Sequence, residues 1–193
     1  MKTSELYFKN HIDNKVILVD FDNTICVDEW PNIGELIPGA LDVIKKLQDN
    51  GHTLILYTQR SVEFPVCNPK LVEYMSKYPR LVSKTDSTYD FHSTNNVKKI
   101  ERQYYVDIIT PVIEYLTNLG LDFKYINCNE EWETITGDTS RKLFNNYIID
   151  DHSICMKHNI IINSKGKECK TCDWKYIDKQ CVELGLYNEF IFK

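Results

Sequence analysis

Val16-Ile17-Leu18-Val19-Asp20-Phe21-Asp22-Asn23-Thr24 decides how the rest of the chain is read. Four consecutive aliphatic residues form the short apolar run expected of a strand buried on both faces. Polarity then changes within one residue, and two carboxylates follow, separated by a single position. An abrupt change of this kind marks a strand that ends in a site.

Outward from this strand, Asn23 to Ile37 is a connection. Pro38 opens a predicted helix whose Leu41, Ile44 and Leu47 form the apolar face, with Gly51 just past its end. Thr53 to Tyr57 is a second apolar strand, and the spacing suits a right-handed parallel crossover. The rhythm resumes at Thr110-Pro111, a helix start followed by Val112, Ile113, Leu116 and Leu119 and ended by Gly120. Leu121 to Ile126 is the third predicted strand, and Asn127 to Asp138 a polar loop interrupted by Trp132. A short helix capped by Thr139 or Ser140 would carry Lys142 in its first turn. Tyr147-Ile148-Ile149 is the fourth strand and ends at Asp150-Asp151. Beyond it, Asn159 to Asn163 reads as a strand or as one arm of a hairpin turning at Ser164-Lys165-Gly166. Asp173 caps a last helix with Trp174, Ile177, Cys181 and Leu184 facing inward, and Phe190-Ile191-Phe192 is expected to tuck against the sheet. Tyr7, Phe8 and Ile12 mark residues 1–15 as a packed strand or arm. The expected fold class is α/β: a Rossmann-like three-layer sandwich with a mostly parallel central sheet and an insert after the second core strand.

Residues 61–109 break the strand–helix rhythm. A structureless loop of that length is improbable in a compact domain, so an ordered insert is expected, with short helices from Pro69 to Tyr78 and around Asn95 to Tyr104. It leaves the chain just after Arg60, at a strand's carboxyl end, as a mobile lid or a fixed wall.

The 193 residues suffice for one domain, here read as residues 1–193 with that insert inside it. No stretch reaches the roughly 18 apolar residues of a membrane span, and the first residues lack a signal-peptide core, so a cytoplasmic protein is expected. A net charge of −5, from 23 basic and 28 acidic residues, leaves no footprint for long nucleic acid, although a local pocket could still take a phosphate. Seven cysteines without a secretory signal are expected to be reduced or metal-bound.

In an open parallel sheet every strand presents its carboxyl end on one edge, where ligands bind. Asp20, Asp22, Thr58, Asp150 and Asp151 all follow such strands, so distant positions are expected to meet. A lone aspartate after a strand is usually a cap or turn residue, and a lone lysine a solvated charge. The joint pattern requires more, because several carboxylates in one crevice repel unless a cation sits among them. Magnesium suits oxygen ligands and shares them with a substrate phosphate. Lys142 offers a positive point charge and Thr58 a hydroxyl.

Asp20-Phe21-Asp22-Asn23-Thr24 resembles the first motif, DxDxT, of phosphatases in the haloacid dehalogenase superfamily. Leu56-Tyr57-Thr58 resembles the second motif, Lys142 the third and Ile148-Ile149-Asp150-Asp151 the fourth, in the same order. Tyr57-Thr58-Gln59-Arg60 and Ser140-Arg141-Lys142 are similar to small, nearly capless bacterial and phage-like members. The resemblance implies a magnesium-dependent phosphatase in which Asp20 is the nucleophile that becomes an aspartyl-phosphate. It implies that Asp22 serves as general acid and then base and lends its backbone carbonyl to magnesium. Thr58 and Lys142 would hold and neutralise the phosphoryl group. Asp151 is the preferred direct metal ligand, with Asp150 its neighbour, and the two are exchangeable. Asn23, Gln59 and Arg60 are assigned to substrate binding; Arg60 would meet a second anionic group or brace the site against a carboxylate.

The expected substrate is a small phosphomonoester, nucleotides included. Alternatives are a nucleic-acid 3'-phosphatase, or a non-catalytic module that binds a partner or nucleic acid through the insert and a zinc hairpin. That hairpin comes from Cys155, His158, Cys169 and Cys172, two tight pairs whose spacing suits a structural Cys3His zinc site. The competing reading is free thiols with His158 on a loop.

Overall fold

The computed structural model describes residues 14–61, 64–66, 81–89, 98–137, 143–153 and 156–188. The chain divides into two compact units, one formed by Met1–Thr58 with Tyr115–Lys193 and the other by Gln59–Glu114.

The first unit is an α/β arrangement of Rossmann type built around a four-stranded parallel sheet. Its strands are β1 (Val16–Val19), β4 (Thr53–Leu56), β8 (Tyr125–Ile126) and β9 (Tyr147–Ile149), in the order β8-β4-β1-β9. β1 is central and buried along its whole length, as its apolar run requires. Its register pairs Val19 with Leu56 on one side and with Ile149 on the other. The next residue of each strand therefore emerges at the same edge. Val16, Leu18 and Ile55 form one face of the core, and Tyr125, Trp132, Ile135, Leu143 and Phe144 pack against it. Ile17 and Val19, of opposite parity, supply the other face. Asn146 adds a rung before β9: its amide N–H donates to the Val16 carbonyl, and its side-chain oxygen accepts from the Val16 N–H, both at 2.8 Å.

Several local expectations change. Asn23 to Ile37, read as a connection, holds a two-stranded antiparallel pair, β2 (Cys26–Glu29) and β3 (Asn32–Leu36). Helix α1 (Ala40–Asp49) starts one residue after Gly39 and not at Pro38. Gly39 has φ +88°, and a Cβ there would stand 3.1 Å from the Trp174 Cβ, so both backbone and packing require glycine. Ala40 and Val43 join Ile44 and Leu47 on its buried face, whereas Leu41 is only half-buried. The third strand shrinks to Tyr125–Ile126. The polar loop after it contains helix α3 (Glu130–Thr136), capped by the Asn129 side chain, which accepts from the Trp132 N–H. Three glutamates in its first turn suit the positive end of the helix dipole, a local signal that the polar composition obscured.

β10 (His158–Ile162) and β11 (Glu168–Cys172) form the expected antiparallel hairpin. Asn163 closes its turn, its side-chain oxygen accepting from the N–H groups of Lys165 and Lys167. Asp173 caps helix α4 (Trp174–Glu183) as expected, accepting from Lys175 and Tyr176, with Trp174, Ile177 and Cys181 buried. Leu184, expected inside, is 52% exposed because the helix has ended by then; Leu186 and Tyr187 are buried beyond it. Lys46 of α1 and Tyr187 both reach Asp178 of α4, at 2.8 and 2.7 Å.

The second unit contains an antiparallel sheet of β5 (Phe64–Val66), β7 (Lys98–Val106) and β6 (Leu81–Tyr89), in that order. The helix expected around Asn95 to Tyr104 is replaced, from Lys98 onward, by the nine-residue strand β7. Ile100, Tyr104, Tyr105 and Val106 favour extended backbone, and β6 offers a full-length partner. Helix α2 (Thr110–Asn118) crosses the boundary between the units. The turn into it is held by Asp107, whose side chain accepts from the N–H groups of Ile109, just before the helix, and Thr110, its first residue. Val112 and Leu116 are buried, but Ile113 is 36% exposed. The expected helix at Pro69–Tyr78, the arm before Asn14, the helix start at Thr139 or Ser140 and the terminal Phe190-Ile191-Phe192 lie outside the described residues.

Ile55 is fully buried between β1 and the side chains of α3. Ile55→Ala is expected to lower unfolding free energy by about 2–5 kcal/mol, whereas Ile160→Ala, at an exposed position of β10, should stay within about 0.5 kcal/mol. Urea denaturation of both variants checks the contrast.

Candidate active site

β1 delivers Asp20 to the sheet edge, where its N–H donates to the Ile149 carbonyl at 2.9 Å. The chain then wraps round one carbonyl: the N–H groups of Thr24, Ile25 and Cys26 all point to the Phe21 oxygen. Asn23 takes φ +58°, a region that asparagine tolerates better than most residues. Its carbonyl accepts from the Cys172 N–H and its side-chain oxygen from the Asp28 N–H, so this expected substrate ligand holds the loop together.

Thr24 is the least exposed polar residue of the loop, at 0%. Its hydroxyl donates to Asp20 Oδ2 at 3.2 Å and accepts from the Asp151 N–H at 3.1 Å and the Cys172 thiol at 3.7 Å. One donor and two acceptor positions are all that a hydroxyl has. The Trp174 indole N–H donates to the Thr24 carbonyl at 2.6 Å, anchoring this loop on α4.

Burial pushes the Asp20 carboxyl up from 3.8 to about 7; a hydrogen bond from the Phe21 backbone pulls it down, and the charges of Asp150, Asp22 and Asp151 push it up again. The four aspartates expected to converge thus feel one another electrostatically around Asp20. Burial also raises Asp151, against the lowering influence of His152. His152 Nδ1 lies 2.9 Å from Asp151 Oδ1 and 3.7 Å from Asp150 Oδ1, and the His152 backbone N–H donates to Asp150 Oδ1 at 2.7 Å. Asp150, Asp151 and His152 each place a ligand atom within 4.8 Å of the others; among the described residues this is the group able to hold a metal ion. Carboxylates suit a hard divalent cation, and the imidazole adds a ligand that suits zinc and other late transition metals.

Thr58 follows β4, the neighbour of β1, and is half-buried. Gln59 and Arg60 belong to the second unit, Gln59 exposed and Arg60 buried. Lys142 and Cys155 lie outside the described residues.

The other three residues expected to bind zinc are not gathered. Cys172 faces His158 across the hairpin, while Cys169 sits three residues away opposite Ile161. A strand turns residues at odd spacing to opposite faces, which separates the two members of a C-x2-C pair. Burial pushes the Cys172 thiol up to about 12, consistent with its donating to Thr24 as a neutral S–H. His158 Nε2 instead meets the Asp151 carbonyl at 2.5 Å.

Thr24, His158 and Trp174 are the residues of this site whose parts the sequence left unread. Thr24 had a usable signal, a hydroxyl four positions after a strand-end carboxylate. Trp174 had none, because its contact spans 150 positions of chain.

No family model and no curated protein matches the chain. A solved structure of a conserved protein from Bacteroides thetaiotaomicron resembles it at 24% identity, covering 89% of this chain and 92% of that one, with a TM-score of 0.52. That likeness is one of fold.

Thr24→Val keeps the side-chain shape and leaves the Asp151 N–H without its acceptor, so thermal or urea unfolding should show a loss of about 1–3 kcal/mol. Asp20 adds a pH signature. Between 3.8 and about 7 the folded chain retains a proton that the unfolded chain releases, so stability falls as pH rises through that window. In chelator-treated protein, Asp20→Asn should therefore be more stable than wild type at about pH 8, by up to about 4 kcal/mol, with the difference vanishing near pH 4. Denaturation at several pH values reads it.

Proposed function

We propose that this protein is a magnesium-dependent phosphatase that hydrolyses a small phosphomonoester through an aspartyl-phosphate on Asp20. The observation that carries the proposal is the half-buried strand-end carboxylate of Asp20, raised to about 7 in the company of Asp22, Asp150 and Asp151. A carboxylate cluster with this cost on ionisation calls for a cation, and the ordered resemblance of four motifs to haloacid dehalogenase phosphatases supplies the reaction type.

The metal would be held by Asp150 or Asp151 of the strand-end cluster, with the Asp20 carboxylate and the Asp22 carbonyl as the further ligands that the resemblance implies. When bound, it supplies the positive charge that favours ionised Asp20 and offsets the charge of the phosphate. The Asp20 oxygen attacks phosphorus; the bond to the substrate's ester oxygen breaks, and the leaving alcohol takes a proton from Asp22. Asp22, now a carboxylate, removes a proton from water. The hydroxide attacks phosphorus, the bond to Asp20 breaks and inorganic phosphate leaves. Thr58 would orient the phosphoryl oxygens. Lys142 would neutralise them, a role resting on its place in the sequence.

Purified protein should release phosphate from p-nitrophenyl phosphate or from members of a nucleotide and sugar-phosphate panel, and lose that activity on chelation until magnesium is returned. Asp20→Asn should abolish turnover, and Asp22→Asn should reduce it about 10²–10⁴-fold. Inactivity of wild type throughout the panel, or full activity of Asp20→Asn, would overturn the mechanism.

A further inference from the structure

We infer that Asn127, at the end of β8, is a positioning residue that holds Thr58 in place for phosphoryl transfer; this rests on the phosphatase reading. The parallel ladder between β4 and β8 ends with Leu56 opposite Ile126 and an N–H of Asn127 donating to the Leu56 carbonyl at 2.8 Å. Beyond that point the backbones part, because Asn127 takes φ +53° and turns away. Its side chain reaches back in place of the missing strand. The Thr58 N–H donates to Asn127 Oδ1 at 2.8 Å, and Asn127 Nδ2 donates to the Thr58 carbonyl at 2.7 Å. One side-chain amide thereby bonds to both backbone groups of Thr58, just past the end of β4.

Two consequences follow for the chemistry. With its N–H committed to Asn127, Thr58 serves a phosphoryl group through its hydroxyl and not through its own amide. The two-point clamp also fixes the peptide planes on either side of the Thr58 Cα, and with them the origin of the hydroxyl. Displacement of a catalytic group by about 1 Å costs about 10²-fold in rate.

Asn127 is itself anchored. Two residues later Asn129, 1% exposed, caps α3 and donates from Nδ2 to the Phe144 carbonyl at 3.2 Å, while Trp132 stacks on the Phe144 ring at 4.6 Å. Asn127-Cys128-Asn129 thus ties together the strand end that carries Thr58 and the segment that leads into β9 and Asp150.

Asn127→Gly removes the clamp while accommodating the positive φ, and so separates positioning from backbone strain. In the active enzyme it should lower kcat about 10–100-fold with KM changed less than about threefold. In a Thr58→Ala background the same substitution should cost less than about threefold, since there is no hydroxyl left to position. Asn127→Asp, which keeps the acceptor for the Thr58 N–H, should recover part of the loss. Amide hydrogen exchange at Thr58 should accelerate at least about tenfold in Asn127→Gly and stay protected in wild type. An active wild type whose Asn127→Gly variant keeps its kcat, or loses the same factor in both backgrounds, would overturn this role alone. Unchanged exchange at Thr58 would overturn the clamp. A wild type inactive on the whole phosphomonoester panel would instead overturn the phosphatase reading, and the positioning role with it.

Discussion

The hydroxyl of Thr24 is wholly buried and spends its entire hydrogen-bonding capacity on three segments far apart in the chain: Asp20 after β1, Asp151 after β9 and Cys172 at the end of β11. The indole of Trp174 adds a fourth through the Thr24 carbonyl. An unmade hydrogen bond in such a place costs more than a made one contributes, so the arrangement is tightly specified. The carboxylate cluster, the hairpin and α4 are held in one geometry because they share this residue. Packing alone would not do this, since apolar burial is non-directional.

Around that hub the electrostatics are unfavourable by themselves. Burial and three neighbouring aspartates all raise the cost of ionising Asp20, and the Phe21 N–H offsets only part of it. A fold tolerates such a cost where a ligand relieves it, which is why a divalent cation and a phosphate belong to one reading of the site. His152 stands at its exposed side, close to both Asp150 and Asp151. The thiol of Cys172 lies on the inner side, buried and raised to about 12, where it donates to Thr24. Asparagine recurs at the margins for one physical reason: its amide imitates a peptide group. Asn146 continues the ladder before β9 and Asn127 continues it after β4.

Legibility varied with how local the deciding interaction was. Val16–Val19 declared a doubly buried strand by composition, and Asp173 declared a helix start by the side chain it offers to the next amides. The α3 helix was hidden, because seven residues with three glutamates and one tryptophan carry no clear apolar period, and the partner on which Trp132 stacks, Phe144, lies beyond the helix. β7 was misread as helical in part because its partner β6 pairs across a gap in sequence that propensity cannot see. Parity was equally out of reach: a spacing of three that suits a tight turn places Cys169 and Cys172 on opposite faces once the segment is a strand, so among the described residues the expected zinc ligands are not gathered.

By itself the sequence determined the central strand, the carboxylates at its end, the alternation that makes the sheet parallel and the edge at which Asp20, Thr58 and Asp150-Asp151 emerge. These follow from hydrophobic period and from the chirality of crossovers, which act over a few residues or one strand–helix–strand unit. Only the tertiary structure decided that Thr24 joins Asp20 to Asp151, that Asn127 clamps Thr58, and that His158 serves the Asp151 carbonyl. Those contacts join positions up to 127 residues apart, and no local rule selects a partner at that distance. Hydrogen bonds have direction, and direction exists only after packing has set the backbones in place.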